Sequence, residues 1–230
     1  MIESFAIVMK GKPVSEELAK ECIESGKQFN INIQEFDAVW GDQVSKEYAN
    51  QQLRPYFKLK PSRDTKGVRG CFLSHFLLWK KSLEENKPLL IFEHDALIIR
   101  QIDTEYLLTK FDDVLNLDAF SRIEKNYETW LKKDRGKNVN LWTETLPNKT
   151  GFDLFNHTNI KGLHSYIIKP SGAKKLIDKT YKVGVLPADI AVNSAWCNLY
   201  RTDTSLCRIN PKYWLDEKKK SRNSYTRTEV

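Results

Sequence analysis

Neither Gly-x-Gly-x-x-Gly nor Gly-x-x-x-x-Gly-Lys-Ser/Thr occurs anywhere in the 230 residues. Any nucleotide must therefore be gripped without a dinucleotide fingerprint or a phosphate loop. No apolar run approaches the ~20 residues that span a bilayer, and no basic start followed by an apolar stretch opens the chain. The expected location is therefore cytoplasmic. Cysteine is scarce: Cys22, Cys71, Cys197 and Cys207 form no Cys-x-x-Cys pair and show no zinc-type spacing with the histidines. Reduced thiols are expected, with Cys22 and Cys71 as small apolar residues on inner helix faces. Neither sign of charge dominates, since 37 Lys+Arg stand against 30 Asp+Glu. The resulting pI of about 9.1 is compatible with nucleic acid, anionic lipid or an anionic cofactor and chooses none of them. There is no internal repeat, and 40% hydrophobic with 11% aromatic residues excludes global disorder.

What is present centres on Pro88-Leu89-Leu90-Ile91-Phe92-Glu93-His94-Asp95. Four apolar residues behind a proline fit a strand buried on both faces, as in a helix-covered parallel sheet. Such a strand, ending in two carboxylates, has reached the carboxyl edge of the sheet, where open α/β folds bind ligands. If the extended geometry persists through His94, Glu93 and Asp95 project to one side. Two hard oxygen donors then suit Mg²⁺ or Mn²⁺ carrying a phosphorylated ligand. A strand leaving through a salt-bridged polar turn would look the same.

Around this strand the chain reads as α/β. Residues 2–9 predict a strand. A helix follows, with Ser15 as its cap and Gly26 as its stop, and a second strand runs through Ile31, Ile33 and Phe36. This β-α-β opening predicts a right-handed parallel unit. A short helix is expected within residues 45–53, and an apolar helix from Gly70 to about Glu85 carries Cys71, Ser74, Leu78 and Trp79 near one face. His75 beside them reads either as a hydrogen-bonded core residue or as a group that orients the Glu93-Asp95 turn or touches a phosphate. Residues 103–111 look helical. Between 112 and 155 no period is legible, and one more core strand with a surface loop is expected there. Residues 163–168 predict a strand and Pro170 or Ser171 starts a helix. Asp189 follows Pro187 as either a helix cap or a catalytic carboxylate. A short strand at 205–209 precedes the basic tail, 216–230.

Taken together these stretches resemble the family 25 glycosyltransferases, which include bacterial lipooligosaccharide galactosyltransferases and procollagen galactosyltransferase domains. Gly70-Cys71 with Ser74-His75 is similar to the family's Gly-Cys-x-x-Ser-His helix start. Leu90 to Ala96 is similar to its apolar strand ending in Glu-Asp-Asp, with His94 in place of the middle acid. Ser165-Tyr166-Ile167-Ile168 with Ser171-Gly172-Ala173-Lys174-Lys175-Leu176, Pro187-Ala188-Asp189 and Phe36-Asp37-Ala38-Val39 complete the pattern. Gly11-Lys12-Pro13-Val14-Ser15 replaces the arginine-rich stretch that often follows the first strand.

The resemblance implies a GT-A type fold: a Rossmann-like mixed sheet flanked by helices in one domain, residues 1–215. Its nucleotide-binding half would be 1–100 and its acceptor half 160–215. It further implies inverting transfer of a sugar, galactose, from a UDP-sugar to a hydroxyl of a glycan or glycoconjugate such as lipopolysaccharide. Asp95 and Glu93 would hold Mn²⁺ or Mg²⁺, His164 can close the metal shell, and Asp189 is the candidate base. Ser74, His75, Ala38 and Ser165 are the candidate nucleotide-sugar contacts, with Ser74 and His75 alternatively supports. Specific nucleic-acid binding is not expected, and membrane contact would at most be peripheral, through the tail.

Three rivals use the same residues otherwise. A nucleotidyltransferase would bind a nucleoside triphosphate at Glu93 and Asp95, but its glycine- and arginine-rich signature is missing. A basic binding module would use the tail and residues 132–137, although a charge run is usually a solvated face. A degenerate transferase would bind sugar nucleotide without turnover, with His94 as its one hint.

Overall fold

The computed structural model of the protein describes residues 2–56, 64–118, 141–143, 163–202 and 205–212. The basic stretch 132–137 and the tail 216–230 lie outside the described residues. Strand β1 (Glu3–Val8), helix α1 (Pro13–Gln28) and strand β2 (Ile33–Asp37) form the expected parallel unit, with Phe5 opposite Gln34. Two details of α1 differ from expectation. Pro13 opens the helix, where a missing N–H costs nothing. Ser15 is already helical and its hydroxyl accepts from the Met9 N–H at 3.0 Å, tying strand to helix. Gly26 lies inside the helix and does not stop it, because a Cβ there would come within 2.6 Å of Ile33 Cδ1 and 2.9 Å of the Ile31 carbonyl. It is the point where α1 crosses the chain entering β2.

Helix α2 (Gln43–Asn50) and the long α3 (Lys66–Glu85) follow. The latter starts a turn before Gly70, because the Thr65 hydroxyl accepts from the Val68 N–H and caps it there. It ends at Asn86 in the left-handed region, φ 50°. Strand β3 (Leu89–Glu93) then runs through the molecule, with Leu89 to Phe92 wholly buried. It pairs parallel with β1 and antiparallel with a later strand, β7 (Ser165–Ile168). The continuous apolar run marks burial on both faces, which a mixed sheet under helices also demands.

After β3 the chain turns at His94-Asp95 and leaves the main sheet. Among the described residues strand β4 (Ala96–Ile98) pairs with β9 (Cys207–Ile209) alone, making a two-stranded ladder. Helix α4 (Thr104–Leu108) is capped by Asp103, whose carboxylate accepts from the Tyr106 N–H. Two strands come from the stretch without a legible period, β5 (Val114–Asn116) and β6 (Leu141–Thr143). Helices α5 (Pro170–Val183) and α6 (Ala188–Ala191) and strand β8 (Leu199–Thr202) complete the described elements. The main sheet has the order β2-β1-β3-β7-β5-β8-β6.

This sheet divides two cores. On one side Phe5, Ile7, Leu89, Ile91 and Tyr166 meet α3 and α5 through Phe72, Leu73, Phe76, Ala173 and Leu176. On the other, Ala6, Val8, Leu90, Phe92 and Ile167 meet Ala19, Cys22, Leu107 and Cys207. Period-two alternation along β3 therefore sends Glu93 toward α3. Among the described residues no helix is long and apolar enough to cross a membrane. All four cysteines are free, three buried and Cys71 half-buried.

Candidate active site

At the carboxyl end of β3 the Glu93 carboxylate lies 3.3 Å from His75 Nε2 and 3.8 Å from Cys71 Sγ. His75 and Cys71 are one helical turn apart on α3. The other imidazole nitrogen, Nδ1, is 3.0 Å from the Tyr166 hydroxyl, which accepts from Trp79 Nε1–H at 2.8 Å. A tyrosine has one proton to give. With the indole already donating to it, Tyr166 satisfies every partner by donating to Nδ1, which leaves His75 protonated on Nε2 and directed at Glu93. His75 is thus both things its sequence position suggested, a buried hydrogen-bonded residue and the group that orients Glu93.

The extended geometry does not continue through His94, since β3 stops at Glu93 and a turn follows. The carboxylates converge nonetheless, with a third partner. Glu93, Asp95 and His164 present ligand atoms all within 4.8 Å of one another. His164 arrives because β7 runs antiparallel to β3, and the Glu93 N–H donates to the His164 carbonyl at 2.8 Å. Asp95 is 5% exposed and its Oδ1 has no hydrogen-bond partner among the described residues. A buried carboxylate oxygen with nothing to accept is costly. Two carboxylates, an imidazole and that uncommitted oxygen are a donor set that fits Mn²⁺ or Mg²⁺.

Electrostatics separate the three groups. Burial pushes Glu93 up, but the hydrogen bond from His75 and the electrostatic attraction of the histidines around it hold its carboxyl below the usual range. Burial dominates at Asp95, against the pull of His94, and its carboxyl is raised. Burial would lower His164, yet Asp118, with Oδ2 3.4 Å from its Nε2, and then Asp95 and Glu93 carry it up to about 9. A folded-state value above the unfolded one of about 6.5 stabilises the fold fully below that pH, and the gain is lost as pH rises toward 9. In EDTA, the melting temperature should therefore fall by several degrees between pH 6.5 and 9, and Asp118→Asn should flatten that slope. An unchanged slope in the variant would remove the pair as its cause.

The Ser74 hydroxyl accepts from the Val39 N–H and donates to the Gly70 carbonyl, both at 2.9 Å. Ala38, next to it, is buried and donates its N–H to the Val8 carbonyl. Ser165 is fully buried and alternates away from Tyr166, and its hydroxyl has no hydrogen-bond partner among the described residues. Asp189 lies in the first turn of α6, behind Pro187, which occupies the cap position. α6 packs on α3, and the Asp189 charge contributes to raising the Cys71 thiol, behind burial and Glu93. Asp189 and Glu93 therefore act on the same side chain.

A model of glycosyltransferase family 25, described as LPS biosynthesis protein, matches residues 4–192, a span that takes in every residue of this cluster. The chain belongs to glycosyltransferase family 25. The lipooligosaccharide biosynthesis protein lex-1 of Haemophilus influenzae is 34% identical over 125 residues, covering 50% of this chain and 37% of that protein. The lipooligosaccharide biosynthesis protein lic2B of Haemophilus influenzae is 31% identical over 118 residues, covering 50% of this chain and 42% of that one. The alignments thus span less than half the length of these curated relatives. A crystal structure of mouse xyloside xylosyltransferase 1, apo form, aligns over 83% of this chain and 79% of that chain, with 9% identity and a TM-score of 0.37.

The helix start of this family 25 chain has a physical explanation. A Cβ on Gly70 would lie 2.5 Å from the Val39 carbonyl, so only glycine lets the segment after β2 rest on α3, where Ser74 then holds it. Gly70→Ala should cost about 1–3 kcal/mol through the forced shift, read from the denaturant midpoint. A midpoint matching wild type would mean that the segment gives way freely. Sequence reasoning missed Asp118 altogether. It lies in the stretch without a period, and nothing local marks it as the partner of a histidine beyond residue 160.

Proposed function

We propose that the chain transfers a sugar, galactose, from a UDP-sugar to a hydroxyl of a lipooligosaccharide-type acceptor, with inversion. The observation that carries this reading is the convergence of Glu93, Asp95 and His164 on one point beside an unpartnered Asp95 oxygen, in a family 25 chain whose relatives carry lipooligosaccharide biosynthesis in their names. Glu93, Asp95 and His164 would hold Mn²⁺ or Mg²⁺, which when bound neutralises the charge of a diphosphate leaving group.

The protein's own groups supply the rest. Trp79, Tyr166 and His75 fix the Glu93 carboxylate from behind, and Asp118 does the same for His164. Ser74 holds the segment after β2 that carries Ala38, and Ala38 and Ser165, both buried, would support the donor site from behind. Asp189, entering from α6, takes the acceptor hydroxyl proton on the side of the sugar opposite the diphosphate, as inversion requires.

The test is a panel of UDP- and GDP-sugars with and without Mn²⁺, scored for nucleoside diphosphate release, with water as a poor acceptor. Release from one UDP-sugar that requires the cation names the donor. No release from any sugar nucleotide, together with no thermal stabilisation by any of them, would overturn the reading.

A further inference from the structure

Glu93 belongs to two clusters. Besides Asp95 and His164, its carboxylate closes a triad with Cys71 and His75, whose ligand atoms also lie within 4.8 Å of one another. The sequence shows no zinc-type motif, because the third ligand comes from a strand that begins after α3 has ended. Cys71 and His75 are four residues apart on α3 and so project from the same face of the helix. The same four-residue spacing places two histidines of a helix on one zinc ion in other proteins.

We propose that Cys71, His75 and Glu93 form a binding site for a soft divalent cation, Zn²⁺, and that zinc bound there inhibits the chain by withdrawing Glu93 from Asp95 and His164. Two of the triad's three edges already match a tetrahedral shell, and the third lies within 4.8 Å. With Zn–N and Zn–O near 2.05 Å and Zn–S near 2.3 Å, tetrahedral edges come to roughly 3.3 Å for N···O and 3.6 Å for S···O. The observed edges are 3.3 Å for His75 Nε2 to Glu93 Oε1 and 3.8 Å for Cys71 Sγ to the same oxygen. Three protein ligands leave a fourth position for water, and Cys71 and Glu93 are only part-buried, so an ion can enter. The thiolate is what separates this site from its neighbour, since sulfur favours zinc over the oxygen-seeking Mg²⁺ and Mn²⁺.

Proton accounting is simple. Zinc displaces the Cys71 thiol proton to solvent. The imidazole proton moves from Nε2 to Nδ1, and Tyr166 turns from donor to acceptor toward it, giving the outer partner that zinc-bound histidines usually have at the cost of the hydrogen bond its own hydroxyl proton made. The His75 to Glu93 hydrogen bond is lost in the process, so Glu93 is both displaced and released from its orienting group. Site occupancy does not depend on the transferase reading; only the inhibition does.

The binding test uses the full chain, reduced and freed of metal, titrated with Co²⁺ as a spectroscopic substitute for Zn²⁺. A thiolate-to-cobalt charge-transfer band in the near ultraviolet is expected, bleached by Zn²⁺, absent in Cys71→Ser and retained in Asp95→Asn. Zinc affinity should drop at least tenfold in Cys71→Ser and in His75→Gln. No band in wild type, or an undiminished band in Cys71→Ser, would overturn the site. Should those variants fail to fold, alkylation of wild type mapped by peptide decides: Zn²⁺ but not Mg²⁺ should protect Cys71 at least tenfold, and equal labelling refutes the site. For inhibition, donor cleavage should fall with stoichiometric zinc and recover with excess Mn²⁺. Equal zinc inhibition in Cys71→Ser, relative to its own zinc-free rate, overturns the inhibitory role. A chain that shows the band yet neither cleaves nor is stabilised by any sugar nucleotide supports the site and removes the transferase reading.

Discussion

Asp95→Asn should abolish donor cleavage, by about 10³-fold or more given the several kcal/mol that a cation supplies at a leaving group, and should at the same time raise the melting temperature of the metal-free protein. The second effect distinguishes a functional carboxylate from a structural one. Asp95 is nearly inaccessible, its Oδ1 accepts nothing among the described residues, and burial raises its carboxyl. A folded-state value above the unfolded one means that the group helps the fold below the ordinary carboxylate range and hinders it as pH rises toward neutral. An amide removes that charge at constant shape, and its N–H can donate to Glu93. The expected gain is about 1–2 kcal/mol, or 2–8 °C, at pH 7 in EDTA. Manganese should stabilise wild type and leave the variant unmoved. A variant that melts lower in EDTA would show that Asp95 holds the turn together and is not poised for a ligand.

Asp189→Asn should separate binding from turnover. Removing a general base lowers rate by about 10²–10⁴-fold, whereas the groups proposed to hold the donor, at the end of β3, in the turn after it and just before β7, are untouched. Thermal stabilisation by UDP with Mn²⁺ should therefore equal that of wild type while donor cleavage is lost. If stabilisation and cleavage fall together, Asp189 binds substrate and is not the base; if cleavage persists at the wild-type rate, it does neither.

The fold was legible wherever period and punctuation agreed. β1, β3, β7, α3 and α5 follow from apolar runs bounded by proline, glycine or a capping residue. The helix-flanked mixed sheet is the expected architecture. Boundaries moved where a tertiary contact outweighed local preference, as at Gly26, kept inside α1 by the closeness of Ile33. β5, β6 and β8 were not individually legible, because strands of three or four residues carry too little alternation to register. The site divides similarly. Glu93, Asp95 and His75 could be read from one strand and the helix before it. Asp118 and the Cys71 contact could not, since neither is close in sequence to what it touches.

The antiparallel pairing of β3 with β7 has a consequence for assembly. It joins Glu93 to His164 across about seventy residues of chain, whereas β1, α1, β2, α3 and β3 can associate through contacts already made by residue 93. Closing so long a loop is entropically slow, and topology of that kind governs when a contact forms. During synthesis the two carboxylates emerge far ahead of their imidazole, and for that interval they face each other without the third member of the cluster. Capture of a cation by all three, as proposed, would therefore report completion of the fold.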